Sequence, residues 1–170
     1  MKKLYFLLAV LMVVLLAGCG GEAAPAETAA PVETAVSAEP VVLNMQELYT
    51  AMTATAGMPE MLPLEPDMQL NFCGIDTADC AQSAVAICAN SLRTDEIWLI
   101  EAVDEAALER IQTMAQNRLT AKGEESITYS PEQYAVVQEA QIITHGNYFA
   151  LLVSPDVDTL AQLFRDAAGI

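Results

Sequence analysis

Two predicted strands of this chain are apolar at consecutive positions, and this pattern restricts the fold more than any other feature. In a strand, alternate residues of 97–100 (sequence IWLI) point to opposite faces, and the stretch 148–153 is equally continuous. A strand with only one covered face alternates apolar and polar residues. Both faces of the predicted sheet must therefore be covered. We expect the methionine-rich segment 44–70, or another copy of the protein, to cover the second face.

The predicted strands form two hairpins. The segments "SAVAICA" at 83–89 and "EIWLIEAV" at 96–103 are apolar runs joined by a short polar connection. The segments "QIITH" at 141–145 and "YFALLVS" at 148–154 are separated by Gly146-Asn147, which is a tight-turn signal.

Amphipathic segments lie before, between and after these hairpins. Asn44 is expected to cap a first helix over 44–55, and Asp104 a second helix that stops at Lys122-Gly123. A short helix is predicted after Ser130-Pro131. A final helix is capped by Ser154, with Pro155 at its first position. The core-facing positions are Met45, Leu48 and Met52, then Leu108, Ile111, Ala115 and Leu119, then Tyr134 and Val137, and finally Val157, Leu160, Phe164 and Ala167.

The order hairpin, helix, hairpin, helix predicts an α+β fold. Its sheet would be antiparallel and four-stranded, in ββαββα order, and packed by the amphipathic helices. The proline-rich stretch 57–68 is expected to be a loop, and 76–82 a short helical turn. Residues 41–170 together have the length of a single domain.

The N-terminus has the pattern of an export signal. Met1-Lys2-Lys3 is cationic, the run 4–16 is wholly apolar, and Leu16-Ala17-Gly18-Cys19 follows. Thirteen apolar residues are too few for a spanning helix, which needs roughly 20. The ending resembles a lipobox, which implies cleavage after a signal peptide 1–18 and a diacylglyceryl group on Cys19, with fatty-acyl chains such as palmitate. The alternative is an ordinary signal peptide with an incidental cysteine.

The segment 19–40 is expected to be a spacer between this anchor and the domain. It contains an imperfect six-residue repeat of Ala, Pro, Glu and Thr and has no large side chain to bury. Extended proline-rich chain rises ~3.1 Å per residue, so positions 20–40 would reach on the order of 65 Å. Lipidation of Cys19 would place the domain on the extracytoplasmic face of the cell membrane, held there by membrane lipid.

The charge of the chain excludes some partners. Asp and Glu number 23 and Lys and Arg seven, for a net charge of −16. Loss of Lys2 and Lys3 with the signal peptide would leave five cations against 23 acids, or −18. Such an excess argues against nucleic acid and anionic phospholipid surfaces, which bind clustered Lys and Arg. A protein partner or a homo-oligomer is compatible with it.

Part of the chain resembles a known family. The segments "TDEIWLIEAVD" at 94–104 and "YSPEQYAVVQEAQIITHGNYFALLVS" at 129–154, with the helices that follow them, carry the resemblance. The family consists of small bacterial lipoproteins whose domain is catalogued as a domain of unknown function, number four-three-five-eight in that series. The resemblance implies a compact α+β domain outside the cell. It implies no catalytic residue and no activity.

Three further cysteines allow one disulfide. Cys73 and Cys80 are close enough in sequence to form a bridge around Gly74, whereas Cys88 lies in a predicted strand and is expected to be a buried small hydrophobe. A metal or redox site is the alternative, but the chain has no CxxC pair.

Other residues with chemical potential have simpler structural explanations. His145 is the only histidine and is expected to end a strand beside a turn, with no nucleophile or orienting acid at recognisable spacing. We expect neither a cofactor nor a metal. Met52, Met58, Met61 and Met68 are expected to pack against the second sheet face, and Asp95, Glu96, Glu101, Asp104 and Glu105 to form a solvated edge, since no calcium-loop pattern is present.

The leading hypothesis from the sequence is a lipid-tethered, extracytoplasmic binding or scaffold module without enzymatic activity. The first alternative is an enzyme or enzyme subunit whose site is assembled from residues that sequence cannot pair. The second is a structural envelope protein that acts through oligomerisation over an apolar sheet face. A pocket with converging polar groups would favour the enzyme, and a flat exposed apolar patch would favour assembly.

Overall fold

A five-stranded antiparallel sheet forms the centre of the structure, a computed structural model that describes residues 42–170. The strands are β1 Met61–Pro63, β2 Cys80–Cys88, β3 Glu96–Ala102, β4 Gln141–His145 and β5 Tyr148–Val153. Their order in the sheet is β1-β2-β3-β5-β4. The predicted signal peptide 1–18, Leu16, Ala17, Gly18, the lipidation site Cys19 and the spacer 19–40 lie outside the described residues.

Five helices surround this sheet in the described part of the chain. Three of them begin at side-chain caps: Asn44 accepts from the backbone N–H groups of Gln46 and Glu47, Asp104 from Ala107, and Ser130 from Gln133. The caps predicted at Asn44 and Asp104 are therefore confirmed, and the short helix predicted after Ser130-Pro131 is present with Ser130 as its cap. The helices are α1 Met45–Thr53, α2 Pro66–Met68, α3 Glu105–Tyr129, α4 Pro131–Gln138 and α5 Val157–Ala168, and α2 continues as a π-helical turn, Gln69–Cys73.

Both faces of the sheet are covered by the chain itself. On one face, Ile97 and Leu99 of β3 pack with α1 and α5. On the other face, Trp98 and Ile100 pack with α3, with Val137 of α4 and with Cys73 of the π-helical turn. The prediction that both faces are buried is confirmed. A hypothesis of oligomerisation over an open sheet face therefore loses its basis.

The predicted number of strands is wrong. Within residues 42–170 the sheet has a fifth strand, β1, in the stretch 57–68, whose prolines predict a loop. Met61 pairs with Cys88 and Pro63 with Ala86. Because β1 is at the sheet edge, a proline without an N–H is tolerated there. The two predicted hairpins, β2–β3 and β4–β5, are confirmed and are joined through β3 and β5.

Two predicted helix ends are also wrong. Helix α3 does not stop at Lys122-Gly123 but continues to Tyr129. Helix α5 begins at Val157 rather than at Pro155, because the Ser154 hydroxyl accepts from the N–H of Asp156 and forms a turn before the helix. The segment expected to be a helical turn at 76–82 is a single turn, Thr77–Asp79, followed directly by β2.

All described residues lie within one compact unit. None of the helices in residues 42–170 combines the length and the apolar composition that crossing a bilayer requires.

Candidate functional site

A carboxylate with no solvent exposure lies at the start of the central strand. Glu96 is the first residue of β3 and lies on the same sheet face as Trp98, which is the face packed against α3. Its Oε1 accepts from Trp98 Nε1 at 2.7 Å and from Arg118 Nε at 3.0 Å. Its Oε2 accepts from Arg118 Nη2 at 3.0 Å and lies 2.8 Å from Lys122 Nζ.

Helix α3 places the two cations because Arg118 and Lys122 are four residues apart and therefore lie on the same helix face. Burial alone would raise the pKa of Glu96. The charges and hydrogen bonds of Lys122 and Arg118 outweigh that effect, so the pKa of Glu96 lies below its ordinary value. Glu96 is therefore a buried anion in the folded protein.

A second buried carboxylate precedes it in the chain. Asp95 is almost fully buried and accepts two hydrogen bonds from Arg93, from Nε at 2.8 Å and from Nη2 at 3.0 Å. The hydrogen bonds to Asp95 raise the pKa of Arg93. The prediction of a solvated acidic edge is wrong for Asp95 and Glu96, because both are desolvated and paired with cations.

The other three residues of that acidic cluster have separate roles. Glu101, half-buried, accepts from Gln82 Nε2 at 2.7 Å. Asp104 caps α3, and Glu105 is exposed in the first turn of that helix.

The connection between β2 and β3 is bound to both helices on this face. The backbone N–H of Thr94 donates to Gln133 Oε1 of α4 at 2.8 Å. The carbonyl oxygen of Thr94 accepts from Lys122 Nζ of α3 at 3.0 Å. These contacts hold the β2–β3 connection beside the cluster formed by Glu96, Trp98, Arg118 and Lys122.

A cleft of about 780 Å³ lies beside these groups, and the cationic side chains that pair with Glu96 are part of its lining, whereas Glu96 itself is not. Its cationic side chains are Arg93, Arg118 and Lys122. Two of the seven Lys and Arg residues of the chain precede residue 42, so three of the remaining five line this cleft. Its other lining residues are Leu62, Ile87, Cys88, Ala89, Ser91, Leu92, Thr94, Asp95, Glu125, Ser126, Tyr129, Ser130 and Gln133.

One wall of the cleft is apolar and faces solvent. Leu62 of β1 is 47% exposed, Leu92 of the β2–β3 connection is 81% exposed, and Tyr129 at the end of α3 is 84% exposed. The cleft therefore has two parts. Its cationic floor is formed by Arg93, Arg118 and Lys122, which are paired with the buried carboxylates of Asp95 and Glu96. Its apolar rim is formed by Leu62, Leu92 and Tyr129.

The structure describes Cys73, Cys80 and Cys88 as free thiols, so it contains no Cys73–Cys80 bridge. Cys73 is buried with its Sγ 3.9 Å from Glu96 Oε1, and burial followed by the Glu96 charge raises the pKa of Cys73 to about 12. Burial raises the pKa of Cys80 to about 11. Cys88 is buried, as expected, and borders the cleft.

His145 lies far from the cleft. It is exposed. In the register of the sheet it lies opposite Tyr148 of β5, and Tyr148 lies opposite Glu101 of β3. Glu101 is five residues beyond Glu96, about 17 Å at the usual strand rise. In residues 42–170, no group of three or more His, Cys, Asp and Glu side chains has the arrangement of a metal site.

Met52, Met58, Met61 and Met68 belong to the two hydrophobic clusters that cover the two faces of the sheet. Met52 is fully buried on the sheet face that packs with α1 and α5, and Met58 and Met61 pack against the same cluster. Met68 packs on the opposite face, with α3. The methionine-rich segment therefore contributes to both faces rather than to one.

The cleft residues were missed because the sequence gives them no motif. Together with Gly123, Lys122 has the sequence pattern of a helix stop. Arg118 and Lys122 at helical spacing, in a chain with few cations, were the available signal. It shows only that the two side chains share a helix face and does not identify their partner.

The helices and strands around the cleft form an α+β domain, as the family resemblance carried by residues 94–104 and 129–154 implies. A model of the family described as "Domain of unknown function (DUF4358)" matches residues 56–154, more than half of the chain. The chain belongs to the DUF4358 family. The match includes β1 to β5, and with them the whole cleft lining. Comparison with curated proteins and with solved structures gives no match.

Proposed function

We propose that this DUF4358 protein is a membrane-anchored, extracytoplasmic lipoprotein whose domain is a non-catalytic binding module. The cleft over Glu96 is its binding site. Its volume of about 780 Å³ is within the range of roughly 300–1,000 Å³ that is usual for small-molecule sites. The convergence of three scarce cations on this one cleft is the observation that supports the proposal most directly.

The hydrogen bonds of the cleft favour binding over catalysis. Glu96 accepts from Trp98, Arg118 and Lys122, and Asp95 accepts two bonds from Arg93. A general base needs a lone pair within reach of the substrate. The two carboxylates instead hold the cations in fixed positions, as expected for a preformed binding surface.

The sequence supports the anchor. Leu16-Ala17-Gly18-Cys19 follows the apolar run, and the proline-containing segment 19–40 separates Cys19 from the first described residues. Two or more acyl chains hold a protein at a bilayer stably, whereas one chain does so only marginally.

Mutation of Cys19 tests the anchor. In the wild-type chain, we expect mass spectrometry to find a mature N-terminus at Cys19 that carries a diacylglyceryl group. Cys19→Ser should leave the signal peptide uncleaved and the chain without lipid. Processing and acylation of the Cys19→Ser chain as in wild type would contradict the proposed anchor.

Small molecules that copurify with the full-length chain test the cleft. We expect wild-type protein isolated from its own membranes to carry a small molecule that is depleted in Leu92→Asp, because this change puts a charge on the apolar rim. Leu70→Asp is the matched control, since Leu70 is also exposed but lies outside the cleft lining. Identical extracts from all three proteins would contradict a binding role for the cleft.

A further inference from the structure

We propose that the cleft binds a small amphiphilic carboxylate, with an apolar body on the rim and one carboxylate on the cationic floor. This inference rests on the proposed function and adds the chemical class of the ligand.

The first step is the charge balance of the floor. Arg93 and Asp95 form a neutral pair. Arg118 and Lys122 share the single carboxylate of Glu96. The floor thus has three cations and two carboxylates, so one positive charge is left to be shared between the exposed carboxylate of Glu125, which also lines the cleft, and a ligand. A monoanion would balance it, whereas a dianionic phosphate monoester would add an uncompensated negative charge beside Glu96.

The second step is the geometry of the donors. The bonds from Arg118 to Glu96 use Nε and Nη2. Among the described residues, Nη1 of Arg118 has no hydrogen-bond partner, and the side chain is 25% exposed where it lines the cleft. A ligand carboxylate at Nη1 would receive a charge-assisted hydrogen bond without displacing Glu96.

The third step is the apolar rim. Leu62, Leu92 and Tyr129 are three of the nine large hydrophobic residues that are exposed in residues 42–170. Exposed apolar side chains beside a cleft of this kind are typical of a binding site. An apolar ligand body would cover them and gain hydrophobic free energy from the contact.

An exposed carboxylate at the rim competes with the ligand. Glu125 lines the cleft. Burial lowers the pKa of Arg118, the bonds and charge of Glu96 outweigh that effect and raise it, and the charge of Glu125 adds a smaller increase. Because Glu125 is held in solvent, its attraction to Arg118 is screened and weak. Removal of this charge should strengthen the binding of an anion.

The experiment uses the only tryptophan as an internal reporter. Trp98 donates its indole N–H to Glu96, so a ligand that shares the cations of Glu96 should change Trp98 fluorescence. The full-length chain in lipid nanodiscs is titrated with 4-phenylbutyrate, 4-phenylbutanol and 4-phenylbutylamine, which have the same apolar body. Empty nanodiscs give the reference.

We expect saturable binding of 4-phenylbutyrate, binding of the alcohol that is weaker by about tenfold, and no binding of the amine. Glu125→Gln should bind 4-phenylbutyrate about twofold to fivefold more tightly, and Glu124→Gln, an exposed neighbour outside the lining, should bind it as wild type does. Leu92→Ser should weaken the binding of 4-phenylbutyrate and of 4-phenylbutanol by the same factor, and Leu70→Ser should weaken the binding of neither.

The outcomes separate this inference from the proposed function. Equal binding of all three probes, weakened by Leu92→Ser, would overturn the carboxylate preference and leave the cleft as a binding site. No saturable change with any probe would also overturn the ligand class, and the comparison of copurified molecules would still decide the role of the cleft. Unchanged affinity in Glu125→Gln would contradict the proposed charge balance.

Discussion

At Glu96, the stability of the fold depends on a charge that has no contact with water. Loss of one partner of a buried ion pair typically costs about 3–5 kcal/mol, because the other charge stays buried without compensation. Glu96→Gln should therefore reduce the free energy of unfolding by about that amount. Chemical denaturation at pH 7 measures it. The exposed residue Glu109 provides the control, and Glu109→Gln should be close to neutral.

The depressed pKa of Glu96 also predicts a pH dependence. A carboxylate whose folded pKa is below its unfolded value stabilises the fold above the unfolded value, about 4.5. That stabilisation is lost as the pH falls through the folded pKa. Wild-type stability should therefore fall below about pH 4.5, and Glu96→Gln should show a shallower fall. Equal slopes for the two proteins would contradict a charged Glu96 in the folded state.

The raised pKa values of the cysteines predict low reactivity. At pH 8, a thiol of pKa about 11 or 12 has far less thiolate than an unperturbed thiol, so Cys73 and Cys80 should be alkylated at least about a hundredfold more slowly in the folded protein. Unfolding should expose three fast-reacting thiols at Cys73, Cys80 and Cys88. Mass spectrometry after iodoacetamide treatment counts them. If the unfolded protein must be reduced before all three thiols are alkylated, it contains a disulfide instead.

Sequence predicts residues whose partners are nearby in the chain. Asn44 and Asp104 cap helices through groups two or three residues away, and both predictions are confirmed. Glu96 binds Arg118, which is 22 residues away, and Lys122, which is four residues further along α3. That pairing depends on how α3 lies across the sheet, so the pattern of acids around β3 could not distinguish a buried ion cluster from a solvated edge.

Among the elements, helix α3 shows how tertiary contact overrides a local stop signal. Gly123 lies inside the helix, where a Cβ would be 3.8 Å from Tyr134 of α4, an ordinary van der Waals distance. Gly123→Ala should therefore stabilise the protein by about 0.5–1 kcal/mol through helix propensity. Thermal unfolding followed by circular dichroism measures the change.

Gly74 provides the opposite case. It has φ of +74°, and a Cβ there would lie 3.0 Å from Met114 Sδ. Gly74→Ala should destabilise the protein by about 1–2 kcal/mol, since the left-handed conformation and the close contact both oppose a side chain. A gain of stability at Gly74, or a loss at Gly123, would contradict these positions of the two glycines.

The predictability of the elements follows their local signals. The two hairpins have apolar runs and short connections, and the turn at Gly146 adds a dipeptide signal. Strand β1 has three residues and includes Pro63, so no periodicity marks it. It exists because β2 offers an open edge, and Met61–Pro63 pairs with that edge.

At the scale of the whole molecule, the acid excess opposes the compact state. With a net charge of −16, repulsion between exposed carboxylates should be screened by salt, whose Debye length falls from about 30 Å at 0.01 M to about 8 Å at 0.15 M. Raising NaCl over this range should increase Tm by roughly 2–5 °C. Differential scanning calorimetry measures the change, and a decrease in Tm would contradict dominant repulsion.

The fold class and the double burial of the sheet were accessible from the sequence. Continuous apolar runs in β3 and β5 need cover on both sides, and that requirement is independent of which elements supply the cover. The assignment of the cover was not accessible. α1 and α5 lie on one face and α3 and α4 on the other because of long-range packing that hydrophobic spacing does not encode.

The position of β1 has a consequence for how the cleft would respond to an occupant. Glu96 belongs to the central strand, whose amides should be among the slowest to exchange with deuterium, whereas Leu62 belongs to a three-residue edge strand that should exchange early. A molecule that spans the floor and the rim would join the most protected strand to the least protected one. Occupancy should therefore slow deuterium uptake at the amides of Met61 and Leu62 and leave β3 almost unchanged.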